Sequence, residues 1–218
     1  MDNAKIKTDI AVFCFNPFQE NTYILSSPNK ECWIIDPGCY TLQEQKTLAA
    51  YIEKNALKPV RLLNTHCHLD HIYGNKFISD EYHLELGIHE KEIPVLQSAS
   101  IGARLFGAKV PDKCEPGYFI KEGATLELND TSFTVLFTPG HSPGSICFYQ
   151  KEEHFAIVGD VLFSGSIGRT DLPGGDYGTL IKSIRTQLLV LDDATEIYNG
   201  HGPSTTIGEE RKSNPFLR

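Results

Sequence analysis

Hydrophobic and polar residues along this chain follow two periodicities that alternate with one another. Alternation with a period of two, or a short apolar run, predicts strands at residues 8–14, 21–26, 32–36, 60–64, 84–88, 124–128, 131–137, 145–150, 154–158 and 195–198. Apolar residues at helical spacing predict helices after Thr41, where Thr41–Glu44 forms a capping box, at residues 89–100 and at residues 177–191. The order indicates an α/β protein with helices outside two packed sheets.

Glycine and proline interrupt residues 101–117, which predicts a long connection or a lid there. The sequence contains no internal repeat, low-complexity tract or linker. Its 218 residues, 40% of them hydrophobic, suit one globular domain over residues 1–218.

Charge and composition exclude several classes of function. A formal net charge of −8 disfavours a nucleic-acid-binding surface, which is normally basic. The N-terminal residues Asp2, Lys5 and Lys7 form a polar lead rather than a signal peptide, and no apolar stretch is long enough to span a membrane. The six scattered cysteines lack a CxxC pair, which indicates reduced thiols and a cytoplasmic protein.

The segment Thr65–His71 concentrates four candidate metal ligands directly after a predicted strand. His66, His68, Asp70 and His71 fall within six residues, and imidazole and carboxylate together suit borderline divalent metals. On a straight strand residues 66, 68 and 70 would share one face and residue 71 would not. A loop that leads into a helix would let all four side chains act as ligands, with one pair of them turned toward each of two metals.

Three further candidate ligands also follow predicted strands, where α/β sheets place their ligand sites. They are His141 after Pro139-Gly140, Asp160 after Gly159, and His201 between two glycines. Seven residues supply eight metal contacts if one carboxylate bridges, and Asp160 is the natural bridge. The set predicts a two-metal site and hydrolytic chemistry.

Other metal-competent residues have ordinary explanations. His83, His89 and His154 are isolated histidines with no ligand pattern around them. Cys67 lies between two candidate ligands, but its side chain should point away from His66 and His68, which predicts packing rather than catalysis.

These motifs resemble those of the metallo-β-lactamase-fold superfamily. Its T-H-x-H-x-D-H signature matches Thr65–His71, and further matches are Pro139–Ser142, Gly159-Asp160 and Gly200–Pro203. Asn21–Tyr23, Ile35–Gly38, Gly208–Arg211 and Asn214–Phe216 are similar to the glyoxalase II branch, especially its short, single-domain bacterial hydrolases.

The resemblance implies a four-layer αββα sandwich and a ligand for each metal position. His66, His68 and His141 would hold the first metal, and Asp70, His71 and His201 the second, with Asp160 as the bridge. Zinc is the expected metal, and iron and manganese accept the same ligands.

The implied activity is hydrolysis of a small-molecule thioester such as S-lactoylglutathione. A hydroxide shared by the two metals would attack the carbonyl carbon, and Asp70 would help to orient it.

The resemblance departs from full-length glyoxalase II at the residues that bind glutathione. The sequence ends at Arg218, shortly after His201, without the helical C-terminal domain of that enzyme. Arg169 replaces the family's lysine, and Asp171 stands where the family has tyrosine. Arg169 could pair with a substrate carboxylate or could fasten its own loop to Asp171.

Two alternatives to a dinuclear hydrolase remain open. The Gly-Arg-Thr-Asp stretch at residues 168–171 also resembles iron-dependent persulfide dioxygenases, whose single iron would here be held by His66, His141 and Asp160. The third hypothesis is a non-catalytic protein in which the metals only stabilise the fold or bind a small ligand.

Overall fold

Two six-stranded sheets form the centre of the protein in a computed structural model that describes residues 8–105 and 107–218. The predicted polar lead at Asp2, Lys5 and Lys7 lies outside the described residues. The strands are β1 Asp9–Phe15, β2 Glu20–Ser26, β3 Glu31–Ile35, β4 Lys58–Leu63, β5 Leu86–Ile88, β6 Pro116–Phe119, β7 Thr125–Leu128, β8 Thr131–Phe137, β9 Ile146–Gln150, β10 Phe155–Gly159, β11 Leu162–Phe163, β12 Ser166–Ile167, β13 Glu196–Asn199 and β14 Thr205–Thr206.

The first sheet has the order β1-β2-β3-β4-β5-β6 and the second the order β14-β13-β10-β9-β8-β7. Strands β3 to β6 pair in parallel, as do β10 and β13, while hairpin neighbours such as β1 and β2 are antiparallel. Strands β11 and β12 form a separate small hairpin.

The helices cover the outer faces of the two sheets. They are α1 Leu42–Lys54, α2 Asn75–Tyr82, α3 Ile93–Leu105, α4 Tyr177–Ser183 and α5 Ile207–Ser213. Short 3-10 turns occupy Leu69–His71 and Glu90–Glu92, and a π-helical turn at Ile184–Leu188 continues α4. The predicted capping box at the start of α1 is present, with Thr41 accepting from the Glu44 backbone N–H.

Aromatic side chains fill the space between the sheets. In β8, Phe133 and Val135 are buried while Ser132 and Thr134 are exposed, so the face of the strand that carries Phe133 and Val135 is turned to the core. The Trp33 ring of the first sheet packs 4.7 Å from the Phe133 ring and 6.4 Å from that of Phe148. Each fully buried side chain of this kind contributes about 1.5–3 kcal/mol to folding.

Two further apolar clusters complete four layers. Leu48 of α1 and Ile78 of α2 pack against the first sheet, and Leu180 of α4 and Ile207 of α5 pack against the second. The predicted αββα sandwich is therefore confirmed. Cys67 is fully buried in the first of these outer clusters, as its predicted packing role requires.

The prediction of a long connection at residues 101–117 was wrong at both ends. Helix α3 continues to Leu105 despite Gly102, because a single glycine lowers helix stability by only about 1 kcal/mol. Strand β6 begins at Pro116, which is tolerated because β6 is the edge strand of its sheet.

The sequence pattern also missed the shortest elements. Strands β11, β12 and β14 have two residues each, too few to show a period, and α5 follows β14 directly. The apolar residues whose helical spacing predicts α1 include Leu42, but Leu42 is 76% exposed because it occupies the first turn of the helix. Among the described residues, no helix combines the length and hydrophobicity needed to cross a membrane.

Candidate metal centre

The seven predicted ligands lie in four loops at strand ends of both sheets. Residues 66–71 follow β4 of the first sheet, whereas His141, Asp160 and His201 follow β8, β10 and β13 of the second. Residues 69–71 form a 3-10 turn that leads toward α2, so the predicted loop entering a helix is present. This turn lets His71 face the site although neighbouring residues would diverge on a strand.

The buried side chain of Asp36 holds the loop after β4 in place. Its carboxylate accepts hydrogen bonds from the Thr65 backbone N–H at 2.7 Å, the Thr65 hydroxyl at 2.6 Å and the Asn64 amide at 3.1 Å. It also accepts from His71 Nδ1 at 3.1 Å. Because Nδ1 of His71 must carry the proton in this bond, its Nε2 is directed toward the site, an arrangement that orients metal-binding histidines in general.

A second buried carboxylate, Glu92, joins two ligand loops. Its Oε2 accepts from the Cys67 backbone N–H at 2.7 Å. Its Oε1 accepts from the Ser142 hydroxyl and the Gly144 backbone N–H, each at 2.6 Å. Glu92 thereby fixes the loop that carries His66 and His68 relative to the loop that carries His141.

Three imidazoles form the first ligand group. His68 Nδ1 and His66 Nε2 lie 2.8 and 3.2 Å from His141 Nε2. Metal–nitrogen bonds of 2.0–2.1 Å in a tetrahedral site would place the ligand nitrogens roughly 3.3 Å apart, so this spacing fits one metal ion.

The protonation of this group suits metal binding. The Thr65 hydroxyl, whose proton goes to Asp36, accepts from His66 Nδ1, and the Arg169 carbonyl accepts from His141 Nδ1 at 2.8 Å. Both histidines thus present an unprotonated Nε2. Burial, reinforced by the neighbouring histidines, keeps the pKa of His66 well below its ordinary value and lowers that of His68 to about 3.

The second group consists of Asp70, His71 and His201, whose ligand atoms lie close together. Asp70 Oδ2 is 3.1 Å from His201 Nε2 and 3.8 Å from His71 Nε2. Burial opposes protonation of His201, but hydrogen bonds to Asp160 and Asp70 outweigh it and raise its pKa to about 10. Burial likewise opposes protonation of His71, and the carboxylates of Asp70, Asp160 and Asp36 raise its pKa well above the ordinary value.

Asp160 lies between the two groups. One of its oxygens, Oδ2, is 3.6 Å from His141 Nε2 and 3.5 Å from His201 Nε2, while Oδ1 is 3.4 Å from His71 Nε2. Asp160 Oδ1 and His71 Nε2 are buried and have no hydrogen-bond partner among the described residues. Unpaired buried polar atoms are costly, so these two atoms fit a centre that a cation completes. A Cβ at Gly200 would collide with Asp160 Oδ1, so the glycine leaves room for this carboxylate.

The centre is open to solvent at residues of both groups. His66, His71 and His141 are at most 2% exposed, whereas the side chains of Asp70 and His201 are 16% and 27% exposed. His68 of the first group is also partly exposed. A ligand would therefore approach past His68, Asp70 and His201.

Arg169, the predicted substrate-binding residue, lies on the segment that covers His141. Its guanidinium forms two hydrogen bonds of 2.7 Å with the Asp171 carboxylate, and both side chains are exposed. Of the two roles that the sequence left open, the contact with Asp171 is present in this structure.

Several buried groups at the centre give no signal in the sequence. Asp36 belongs to the Ile35–Gly38 stretch, which contributed only to the family resemblance, and Glu92 ends a short 3-10 helix after Glu90 and Lys91. Glu20 is fully buried behind His71, with its Oε1 4.0 Å from His71 Nδ1, and burial raises its pKa well above the ordinary value. These carboxyl groups contact the ligand loops only after long-range folding, so local spacing does not reveal them.

Comparison with known proteins gives consistent matches over most of the chain. The sequence profile of the metallo-beta-lactamase superfamily matches residues 15–201. The hydroxyacylglutathione hydrolase GloC of Haemophilus influenzae is 42% identical over 215 residues, which cover 96% of this chain and 98% of that protein.

Two crystal structures extend the comparison to the fold. The BLEG-1 B3 metallo-beta-lactamase superimposes with a TM-score of 0.88 at 37% identity and covers 96% of this chain and 99% of its own. The structure of TTHA1623 in a di-iron-bound form gives a TM-score of 0.86 at 36% identity, with 95% and 100% covered.

Proposed function

Because this chain belongs to the metallo-β-lactamase superfamily, we propose that it is a metal-dependent hydrolase whose substrates are small thioesters such as S-lactoylglutathione. The observation that carries the proposal is the convergence of two ligand groups on the shared carboxylate of Asp160. The similarity to a hydroxyacylglutathione hydrolase favours the thioester over other acyl compounds.

The two ligand groups would hold two divalent cations. His66, His68 and His141 would hold one ion, Asp70, His71 and His201 would hold the other, and the Asp160 carboxylate would contribute to both. When bound, such ions acidify a water molecule and polarise a carbonyl group, which is the chemistry that hydrolysis of an ester requires. Histidine and carboxylate ligands accept zinc, iron or manganese, and the di-iron form of a structural relative shows that iron fits a related centre.

Asp70 is the proposed catalytic residue of the protein itself. Burial raises its pKa, but His71 and His201 outweigh this effect and lower it, so Asp70 stays ionised. An ionised carboxylate accepts hydrogen bonds, and Asp70 is partly exposed on the open side of the centre. It can therefore accept a hydrogen bond from the attacking water and fix its orientation.

The substrate is expected to lie along the open side of the centre. The ring of Phe163 is 6.3 Å from that of His201 and offers an apolar wall. Arg169, on the segment that covers His141, is the proposed partner for a substrate carboxylate.

The decisive experiment counts the metals of the purified protein and measures hydrolysis of S-lactoylglutathione. Oxygen uptake with glutathione persulfide and hydrolysis of a β-lactam are followed in parallel. Thioester cleavage with about two metals per chain supports the proposal. Oxygen uptake with a single iron would assign the protein to the dioxygenase alternative instead.

A matched pair of variants separates catalysis from stability. His68→Ala should reduce thioester hydrolysis by more than about 100-fold, since even the loss of outer partners of metal ligands costs 10–100-fold. His83→Asn is the control, because His83 is exposed at the end of α2 with φ +56° and asparagine tolerates that backbone. Unchanged hydrolysis in His68→Ala with reduced stability would instead favour the non-catalytic hypothesis.

A further inference from the structure

Arg169 and Asp171 form a two-point ion pair within a three-residue stretch. Arg169 Nε donates to Asp171 Oδ1 and Nη2 donates to Oδ2, both at 2.7 Å. Arginine commonly binds a carboxylate through two parallel hydrogen bonds, one from Nε and one from Nη2. In Arg169 both of these donors are already bonded to Asp171. Asp171 therefore occupies the Arg169 guanidinium, the group that the proposed function assigns to binding the substrate carboxylate.

The backbone beneath this pair is fixed to the metal centre. The Arg169 carbonyl accepts from His141 Nδ1 at 2.8 Å. A Cβ at Gly168 would collide with the Asp160 carbonyl and lie 3.1 Å from His141 Cβ. The segment thus runs directly over two of the proposed ligands.

The side chains of the pair, in contrast, are free to exchange partners. Their exposed fractions are 55% for Arg169 and 68% for Asp171. Ion pairs in solvent are weak, so an incoming carboxylate can replace Asp171 at little cost. As long as Asp171 is present, however, an anionic ligand must compete with it and approach its negative charge.

We propose that Asp171 is a specificity-determining residue that competes with the substrate carboxylate for Arg169. It lowers the affinity of the site for thioesters that carry a carboxylate and leaves the affinity for thioesters without one unchanged. This inference rests on the proposed function for the placement of the substrate, but it concerns binding and is tested without turnover.

The test measures binding of two matched ligands to the metal-loaded protein by calorimetry. S-methylglutathione carries carboxylates and no thioester, and its diamide has both carboxylates replaced by amides. In Asp171→Asn the dissociation constant of S-methylglutathione should fall about two- to five-fold, the range that exposed ion pairs supply. The dissociation constant of the diamide should not change.

Two further variants make the result specific to the pair. Asp171→Asn combined with Arg169→Gln should lose the gain in affinity. Asp80→Asn is the control for net charge, because Asp80 pairs with Lys76 in an exposed contact on α2 and its loss removes the same charge. This control should leave both dissociation constants unchanged.

Four results would overturn the inference. One is a dissociation constant for S-methylglutathione that is unchanged in Asp171→Asn. A second is that neither the unmodified protein nor Asp171→Asn binds S-methylglutathione. Another is that Asp171→Asn binds S-methylglutathione and its diamide more weakly by the same factor. That result would mean that the ion pair only positions His141 through the Arg169 carbonyl. The last is an equal gain in Asp80→Asn. A failure of the proposed function appears separately, as a lack of S-lactoylglutathione hydrolysis by the unmodified protein.

Discussion

At the scale of single residues, Glu92 shows how one buried carboxylate can set the geometry of a metal centre without touching a metal. It accepts three hydrogen bonds from the Cys67 and Ser142–Gly144 loops. Burial raises its pKa, while these three donors lower it. Each of the three donors needs an acceptor. A carboxylate side chain can provide them all because both of its oxygens accept hydrogen bonds.

Replacing Glu92 by glutamine should therefore weaken both the fold and the metal centre. One amide N–H₂ group would face a backbone or hydroxyl donor, and an unsatisfied buried group costs about 1–3 kcal/mol. We expect urea unfolding to show a free energy of unfolding that is lower by about 1–3 kcal/mol. We also expect a 10–100-fold weaker metal affinity. Glu90→Gln is the control, because Glu90 is exposed on the same 3-10 turn. Equal behaviour of the two variants would contradict the role of Glu92.

The histidine pKa values predict that the two ligand groups differ in their dependence on pH. The first group has pKa values lowered by burial, so His66, His68 and His141 are already neutral near pH 7. The second group has raised pKa values, so His71 and His201 carry protons in protein stripped of metal. A metal ligand must be deprotonated, so only the second group has to release protons on binding.

Lowering the pH from 8 to 6 should thus weaken the second metal site by at least about 100-fold, since one released proton changes affinity about tenfold per pH unit. The first site should change little over this range. Metal titrations of stripped protein in buffers of different ionisation enthalpy measure the protons released by each equivalent. The prediction is wrong if both equivalents release the same number.

At the scale of secondary-structure elements, the centre depends on glycines that let strand ends approach one another. Gly200 follows β13, and a side chain there would collide with Asp160 Oδ1 and lie 2.7 Å from His71 Cε1. Both atoms belong to side chains that are proposed metal ligands, so moving either one aside would change the ligand geometry.

Gly200→Ala should accordingly abolish binding of the second metal and reduce hydrolysis by more than about 100-fold, as for the loss of a ligand. Gly102→Ala is the matched control, because no atom lies within 4 Å of a Cβ built at Gly102 in α3. That change should raise helix stability by up to about 1 kcal/mol. The prediction is tested by measuring the metal content and the urea unfolding of both variants. Retention of two metals in Gly200→Ala would refute it.

The same elements show what local sequence can predict. Strands such as β8 were predicted correctly because five or more residues alternate between core and solvent, and the β4 loop was predicted because its ligands are adjacent in sequence. The two-residue strands β11 and β14 have no period. The roles of Asp36, Glu92 and Glu20 arise from contacts between distant segments, which spacing along the chain does not encode.

At the scale of the whole molecule, the centre is a link between the two sheets. The loop after β4 belongs to the first sheet, and the loops after β8, β10 and β13 belong to the second. Each ligand group contains residues from both loop sets, since His141 joins His66 and His68, and His201 joins Asp70 and His71. An unfolded chain cannot hold these groups together, so metal binding favours the folded state.

Metal removal should therefore destabilise the entire sandwich rather than the loops alone. At a free metal concentration of about 1,000 times the dissociation constant, one site contributes about 4.1 kcal/mol, and for a chain of this size each kcal/mol corresponds to about 2–4 °C in Tm. Thermal unfolding with and without a chelator should differ by at least about 8 °C and remain a single transition. In His68→Ala the difference should shrink, whereas in His83→Asn it should persist. An unchanged Tm after complete metal removal would show that the ligand groups do not couple the two sheets, and a separate early transition would show that the metals stabilise only their own loops.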